Sequence, residues 1–202
     1  FGTAVTLPAV PSSPFYDLTL ARQVSYDPTK LQEALAESSL TGRTVKLLVN
    51  KTDSIRLQAA RKIAQMLTDC GLNVEMLECN YTDYRAVLRD GTFDLYLGQT
   101  KLSPNMDLSE FFREDGNLSW GGMANATCLD MCQEALENSG NYYNLHQMVL
   151  RNSQLVPILF RSHAVYADRG LGSGMEPSRD NVFYYSMGRS IEEARTVVPN
   201  EE

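Results

Sequence analysis

Between Thr44 and Gly98 the chain alternates short apolar runs with stretches of helical period, and this alternation constrains the fold more than any other feature. Thr44 to Asn50 (TVKLLVN) reads as a short, mostly apolar strand. Asn50 to Ser54 is a polar loop in which Asp53 or Ser54 suits a helix N-cap, since a short side-chain oxygen there accepts from the free amides of the first turn. In the following helix Ile55, Ala59, Ile63 and Leu67 recur every four residues, with Ala60 and Ala64 beside them, which makes one apolar stripe. Gly71 stops that helix. Leu72 to Leu77 alternates, with Leu72, Val74 and Met76 opposite Asn73, Glu75 and Leu77, and reads as a second strand. Tyr81 to Asp90 is a second helix closed by Gly91, and Phe93 to Gly98 (FDLYLG) a third strand with Phe93, Leu95 and Leu97 on one face. Strands joined through helices run parallel, so the fold class is α/β, with a mostly parallel mixed sheet flanked by helices. Ligands of such sheets gather beyond the carboxyl ends of the strands. Here those ends lead into two polar loops, Asn50 to Asp53 and Gln99 to Met106.

The flanking segments are looser. Phe1 to Tyr16, with Pro8, Pro11 and Pro14, reads as an extended connector. Asp27-Pro28 opens a helix whose apolar side is Leu31, Ala34, Leu35 and Leu40, ended by Thr41-Gly42. Asp107 to Glu114 is expected to form a short helix capped by Asp107. Asn117 to Ala124 is a Gly-rich loop holding the single tryptophan, Trp120, which suits either stacking on a ligand or filling a gap against the next helix. Asn125 or Thr127 caps that helix, which runs to about Glu137, and another runs from Tyr142 or Tyr143 to about Asn152. Leu155 to Phe160 and His163 to Ala167 are strand-like, the tail after Asp168 is Gly-rich, and Ile191 to Arg195 is a short terminal helix.

Several function classes find no support. The 202 residues suit one domain with a real core. A net charge of -7 argues against a nucleic-acid partner, which needs a basic face. Arg56, Arg61 and Lys62 read as a solvated helix face. The start of the chain has no basic region of a signal peptide and reads as that of a mature fragment or a trimmed piece of a longer chain. None of the cysteines, Cys70, Cys79, Cys128 and Cys132, makes a C-x-x-C pair. Cys128 and Cys132 share a helix face and read as small buried apolar residues rather than metal ligands, and His146 and His163 as structural or exposed. No catalytic, phosphate-cradling or zinc motif is present, so no catalytic residue, cofactor or metal is expected. Asp107 and Glu110 read as a cap and a first-turn acid rather than a catalytic pair. Sequons at Asn50, Asn80, Asn117 and Asn125 are short enough to arise by chance.

The stretches YDPTKLQEALAESSL, TVKLLVN, SIRLQAARKIAQMLTDCGLNVEML and YTDYRAVLRDGTFDLYLG, followed by NLSWGGMANATCLDMCQEAL and LVPILFRSHAVYA, resemble the C-terminal lobe of the family 5 extracellular solute-binding proteins. These are the oligopeptide-, dipeptide- and nickel-binding receptors of ABC importers. The resemblance covers about Ser25 to Tyr185 and rests on the order and spacing of many weak features. It implies a periplasmic-binding-protein-like lobe at 25–185, an inter-lobe connector at 1–24 and a tail at 186–202. It further implies a missing partner lobe that closes by hinge motion, a peptide or small-molecule ligand, an ABC permease as partner, and an extracytoplasmic, often lipoprotein, location. It implies binding without chemistry. The alternative is a sensory or regulatory module built on the same lobe. Where peptide-binding members commonly place a Gly-Trp and an Asp after the third strand, this chain reads Gly98-Gln99-Thr100-Lys101-Leu102, with no acid before Asp107. The expected ligand residues are Gln99, Thr100 and Lys101, joined by Asn50, Asp53, Asn117 and Trp120. The loop's amide, hydroxyl and ammonium suit an acceptor-rich or anionic ligand at least as well as a peptide amine.

Overall fold

The computed structural model describes residues 2–38, 42–162 and 166. Along them run β1 (Gly2–Ala4), α1 (Leu18–Ala21), α2 (Pro28–Glu37), β2 (Thr44–Asn50), α3 (Ser54–Asp69), β3 (Asn73–Cys79), α4 (Tyr81–Asp90), β4 (Leu95–Leu97), α5 (Ser109–Phe112), α6 (Ala126–Glu137), α7 (Tyr142–Asn152) and β5 (Leu159–Arg161). The chain divides into two units: Val5–Ile158, and a second formed by the first four residues with the segment from Leu159 onward. In the second unit β1 and β5 pair antiparallel, Thr3 opposite Phe160. The expected strand from Leu155 to Phe160 is thus shorter and shifted. The strand expected at His163–Ala167, the Gly-rich tail and the helix at Ile191–Arg195 lie outside the described residues or nearly so, Tyr166 alone being described.

The large unit is built on a three-stranded parallel sheet in the order β3-β2-β4. Its alternation is visible residue by residue. Leu47 and Val49 of β2 pack with Ala60 and Ala64 of α3, joined by Val74, Met76 and Leu97. Leu48 points the other way, onto Tyr84 and Leu88 of α4, joined by Leu77, Cys79, Phe93 and Tyr96. Leu48 and Val49 are fully enclosed, and each such side chain contributes roughly 1.5–3 kcal/mol by leaving water. Small Ala60 and Ala64 let α3 approach the sheet closely. The apolar stripe of α3 is accordingly centred on these alanines with Leu57 and Ile63, while Ile55, expected at its start, is 43% exposed. Phe93 also departs from expectation. It precedes β4 and packs with Tyr96 on the α4 side, opposite Leu97. Asp94 clamps the entry to β4: its amide donates to Lys46 O at 3.0 Å and its Oδ2 accepts from Lys46 N at 2.9 Å.

The helix ends follow local chemistry. Asp27 caps α2, with Pro28 at its first position. That helix closes at Ser38, earlier than the expected Thr41-Gly42, and Leu40 and Thr41 lie outside the described residues. Asn125 caps α6 by accepting from Cys128 N at 3.0 Å. Asp107 does not cap α5. The residue before that helix is Leu108, and Asp107 Oδ1 instead accepts from Ser109 N and Oγ in a tight turn. α5, α6 and α7 pack in succession. Cys128 and Cys132 are free thiols buried on the inner face of α6, as their spacing implies. Burial pushes the Cys132 thiol up to about 12, which keeps it un-ionised and unreactive.

Candidate ligand site at the carboxyl edge of the sheet

The strand order decides where a site can form. From β2 the chain crosses through α3 to β3 on one side, then returns through α4 over the opposite face to β4. Connections therefore diverge between the carboxyl ends of β2 and β4, the switch point at which an open α/β sheet leaves a crevice. Val49 pairs with Leu97, so Asn50 and Gly98 leave the sheet side by side in register. The loops singled out by sequence, Asn50 to Asp53 and that beginning at Gln99, flank this point.

Asn50 ends β2 and is buried. Its Oδ1 accepts from Thr52 N at 3.1 Å and Thr52 Oγ1 at 2.8 Å. A backbone N–H can only donate, so the amide oxygen faces Thr52 and the Nδ2 group faces away. The loop is tied to β3 by Lys51 N donating to Cys79 O at 2.8 Å. Asp53 is the α3 cap. Its Oδ1 accepts from Ile55 N and Arg56 N at 3.1 and 3.0 Å, and its Oδ2 takes the Arg56 fork at 3.3 and 3.1 Å. The Arg56 amide, more than the guanidinium, holds the Asp53 carboxyl below its ordinary value. Asn80 caps α4 at the neighbouring strand end, accepting from Asp83 N at 2.9 Å and donating to Asp83 Oδ2 at 2.7 Å. Tyr84 reaches under the β4 exit and donates to Leu97 O at 3.3 Å, and burial raises its phenol to about 12. A methyl group on Gly98 would meet the Tyr96 ring at 3.0 Å, so glycine lets the chain pass close by. Gln99, Thr100 and Lys101 follow, exposed.

Not all expected site residues lie here. Asn117 is held by Glu110, whose Oε2 accepts from its amide and from Nδ2, both at 3.0 Å. Trp120 packs on the Leu48–Tyr84–Leu88 cluster, with the Arg85 guanidinium 5.4 Å from its ring centre. Gly121 backs onto Phe93, at the entry to β4. Trp120 and Gly121 stand on the α4 flank and Asn117 is held to α5, whereas Asn50, Asp53 and Gln99 to Lys101 follow the carboxyl ends of β2 and β4. The gap that Trp120 fills is against α4 rather than against α6, the helix beginning at Ala126. Lys51 and Arg85 were not singled out by sequence. Lys51 carries no signal beyond adjoining Asn50, and the Arg85–Trp120 contact exists only once α4 and the Gly-rich loop are packed. Of the sequon asparagines, Asn50 is buried, Asn80 and Asn125 are caps, and Asn117 is bonded to Glu110.

Two apolar grooves lie elsewhere. One, of about 200 Å³, is lined by Tyr26, Pro28, Leu31, Ile63, Met66 and Cys70. The other, of about 330 Å³, runs past Leu35, Val45, Leu72 and Leu95 at the amino edge of the sheet. Asp27 is the charged residue lining the first, Arg43 and Asp94 those lining the second; the remaining lining is mostly apolar, and both read as packing surfaces beside α2. Among the described residues no group of three or more His, Cys, Asp or Glu is placed to hold a metal ion. No described helix is long and apolar enough to cross a membrane.

No family model and no curated protein matches the sequence. Solved structures do. The binding protein AgaA from A. tumefaciens R10, in complex with agropinic acid, matches with a TM-score of 0.66 at 19% identity, over 79% of this chain and 35% of that one. A mannohexaose-bound periplasmic oligopeptide-binding protein from Thermotoga maritima matches with 0.63 at 18%, over 79% and 36%. NikA from Brucella suis, in complex with Fe(III)-EDTA, matches with 0.59 at 16%, over 78% and 36%. The chain thus spans about a third of the length of these structures. At such identities the likeness is one of fold. The chain has the fold of one lobe of a periplasmic solute-binding protein.

Proposed function

We propose that this chain is the ligand-binding lobe of an extracytoplasmic solute-binding protein that delivers a peptide or other small polar solute to an ABC importer, and that it performs no chemistry. The observation that carries the reading is the switch point at which β2 and β4 end side by side at Asn50 and Gly98, with polar loops on both sides, in a chain whose fold recurs in solute-binding proteins. Those receptors are named with agropinic acid, mannohexaose and Fe(III)-EDTA, three unrelated polar ligands, which supports the fold as a general solute holder. In this proposal residues 25–185 form the lobe, 1–24 an inter-lobe connector and 186–202 a tail. A second lobe closes on the same strand ends, and the assembly works outside the cytoplasm, secreted or anchored as a lipoprotein. Gln99, Thr100, Lys101 and Asn50 touch the ligand and Asp53 fixes the loop. Asn117 and Trp120 form the outer wall on the α4 flank.

A thermal-shift screen of this chain, and of any longer polypeptide containing it, against peptides, sugars, organic acids and metal chelates tests the proposal. A cognate solute at a hundredfold excess over Kd should stabilise by about 3 kcal/mol. Stabilisation by none of them counts against the receptor reading.

A further inference from the structure

We infer that the crevice receives the carboxylate or another oxygen-rich, negatively charged end of its solute, with Asn50 Nδ2 as the central donor; this rests on the receptor reading above. Asn50 is only 4% exposed, yet its two amide N–H donors have no hydrogen-bond partner among the described residues. Buried donors are nearly always matched. This nitrogen is also not sealed into the interior. The fully enclosed unpaired side-chain atoms are Ser13 Oγ and the two His146 nitrogens, and Asn50 Nδ2 is not one of them. It therefore keeps contact with solvent at the carboxyl end of β2, where an acceptor on a solute would complete it.

The charges around this strand end point the same way. Each carboxylate at the edge is already engaged: Asp53 by two backbone amides and Arg56, Glu78 by the Arg61 fork at 3.0 and 3.0 Å, and Asp83 by Asn80. A solute ammonium would have to compete with these partners for a carboxylate there. Lys51 stands exposed next to Asn50, and Lys101 leaves from the opposite loop. On a chain whose net charge is -7, this edge presents the Lys51 ammonium and the Asn50 N–H groups. Such a set favours an anion by Coulomb attraction at partial desolvation. It also fits the absence of an acid between Gly98 and Asp107, where a peptide amine would need one.

The experiment is calorimetric titration of the chain with succinate and three C-terminally amidated dipeptides that differ in one side chain, Ala-Glu, Ala-Gln and Ala-Lys, so that only the Glu side chain carries a carboxylate. Succinate and Ala-Glu should bind, and Ala-Glu at least about tenfold tighter than Ala-Lys. Asn50→Asp keeps the Oδ1 acceptor for Thr52 but turns the donor into an anion, and should weaken Ala-Glu about tenfold or more. Should that variant fold poorly, Lys51→Glu, on an exposed side chain, should weaken Ala-Glu about fivefold with an unchanged circular dichroism spectrum. Equal or tighter binding of Ala-Lys, or Ala-Glu affinity untouched by both variants, overturns the inference and leaves the receptor reading standing. Failure of all four probes to bind overturns the inference and removes support from the receptor reading too.

Discussion

Asn50 and His146 both bury a polar side chain whose nitrogen meets no acceptor or donor among the described residues, but in opposite settings. Asn50 closes a strand at the carboxyl edge, with its oxygen spent on Thr52 and its nitrogen in contact with solvent. His146 lies on α7, 0% exposed, with both nitrogens enclosed and the ring edge-on to Tyr142 at 5.8 Å. Tyr142 in turn stacks on Phe15 at 4.3 Å and donates to Asn105 O. In the proposed receptor, unpaired polarity at the edge is open to an acceptor on a solute. In the interior it is a cost that the apolar packing around α7 offsets.

The largest expected effect concerns the interior. Burial lowers the His146 pKa from 6.5 to about 4, against a weaker upward pull from the Asp17 carboxylate. The unfolded chain therefore takes up the proton near pH 6.5 and the folded chain only near 4. Between those values the unfolded state holds more protons, so stability falls as pH drops through this window, by roughly 3 kcal/mol in all. Urea titrations at pH 7, 5.5 and 4 should show it, and His146→Leu should flatten the profile. A profile equally steep in His146→Leu places the acid sensitivity elsewhere. Asp53 and Glu110, whose carboxyls are held below the ordinary range, lose their contribution only at still lower pH.

Next in size is Trp120. Its ring sits half-buried on the Leu48–Tyr84–Leu88 cluster, so Trp120→Ala should cost about 2–3 kcal/mol of unfolding free energy, with Trp120→Phe recovering part of it. Loss of solute affinity in a Trp120→Ala variant that stays folded would support the ring's place in the proposed outer wall. Asp53→Ala removes an N-cap and the Arg56 partner and should cost about 1 kcal/mol, read as a lower midpoint in thermal unfolding. Asn50→Ala is expected to cost slightly less, about 0.5–1 kcal/mol, through loss of the two bonds to Thr52.

The core of the fold is legible in the sequence because its signals are long and repeated. β2 and α4 lie where the alternation and the glycines set them, and Asp53 and Asn125 cap as their positions imply. Short elements defeat the same reading. α1 has four residues, too few for a period to register, and its one clue is Asp17 capping it through Leu20 N at 2.7 Å. α5 is as short, and Asp107 bonds to the turn rather than to the helix end. Phe93 was assigned by alternation to the face of Leu97, but alternation holds only inside a strand, and β4 begins at Leu95. At the site, topology located the carboxyl edge, and residue type located the Gln99 to Lys101 loop. The direction of the Asn50 amide was not readable, because it depends on which atom Thr52 claims. The placement of Trp120 on the α4 flank was not readable either, because that contact is made between segments over thirty residues apart in the chain.

The central claim, that the solute binds at the carboxyl edge, is tested most directly by titrating the 15N-labelled chain with Ala-Glu and mapping the amide shifts. The account predicts that perturbations centre on Asn50 to Asp53 and Gly98 to Lys101. Shifts centred instead on the apolar groove around Leu31, Met66 and Cys70, with the carboxyl edge silent, would contradict it.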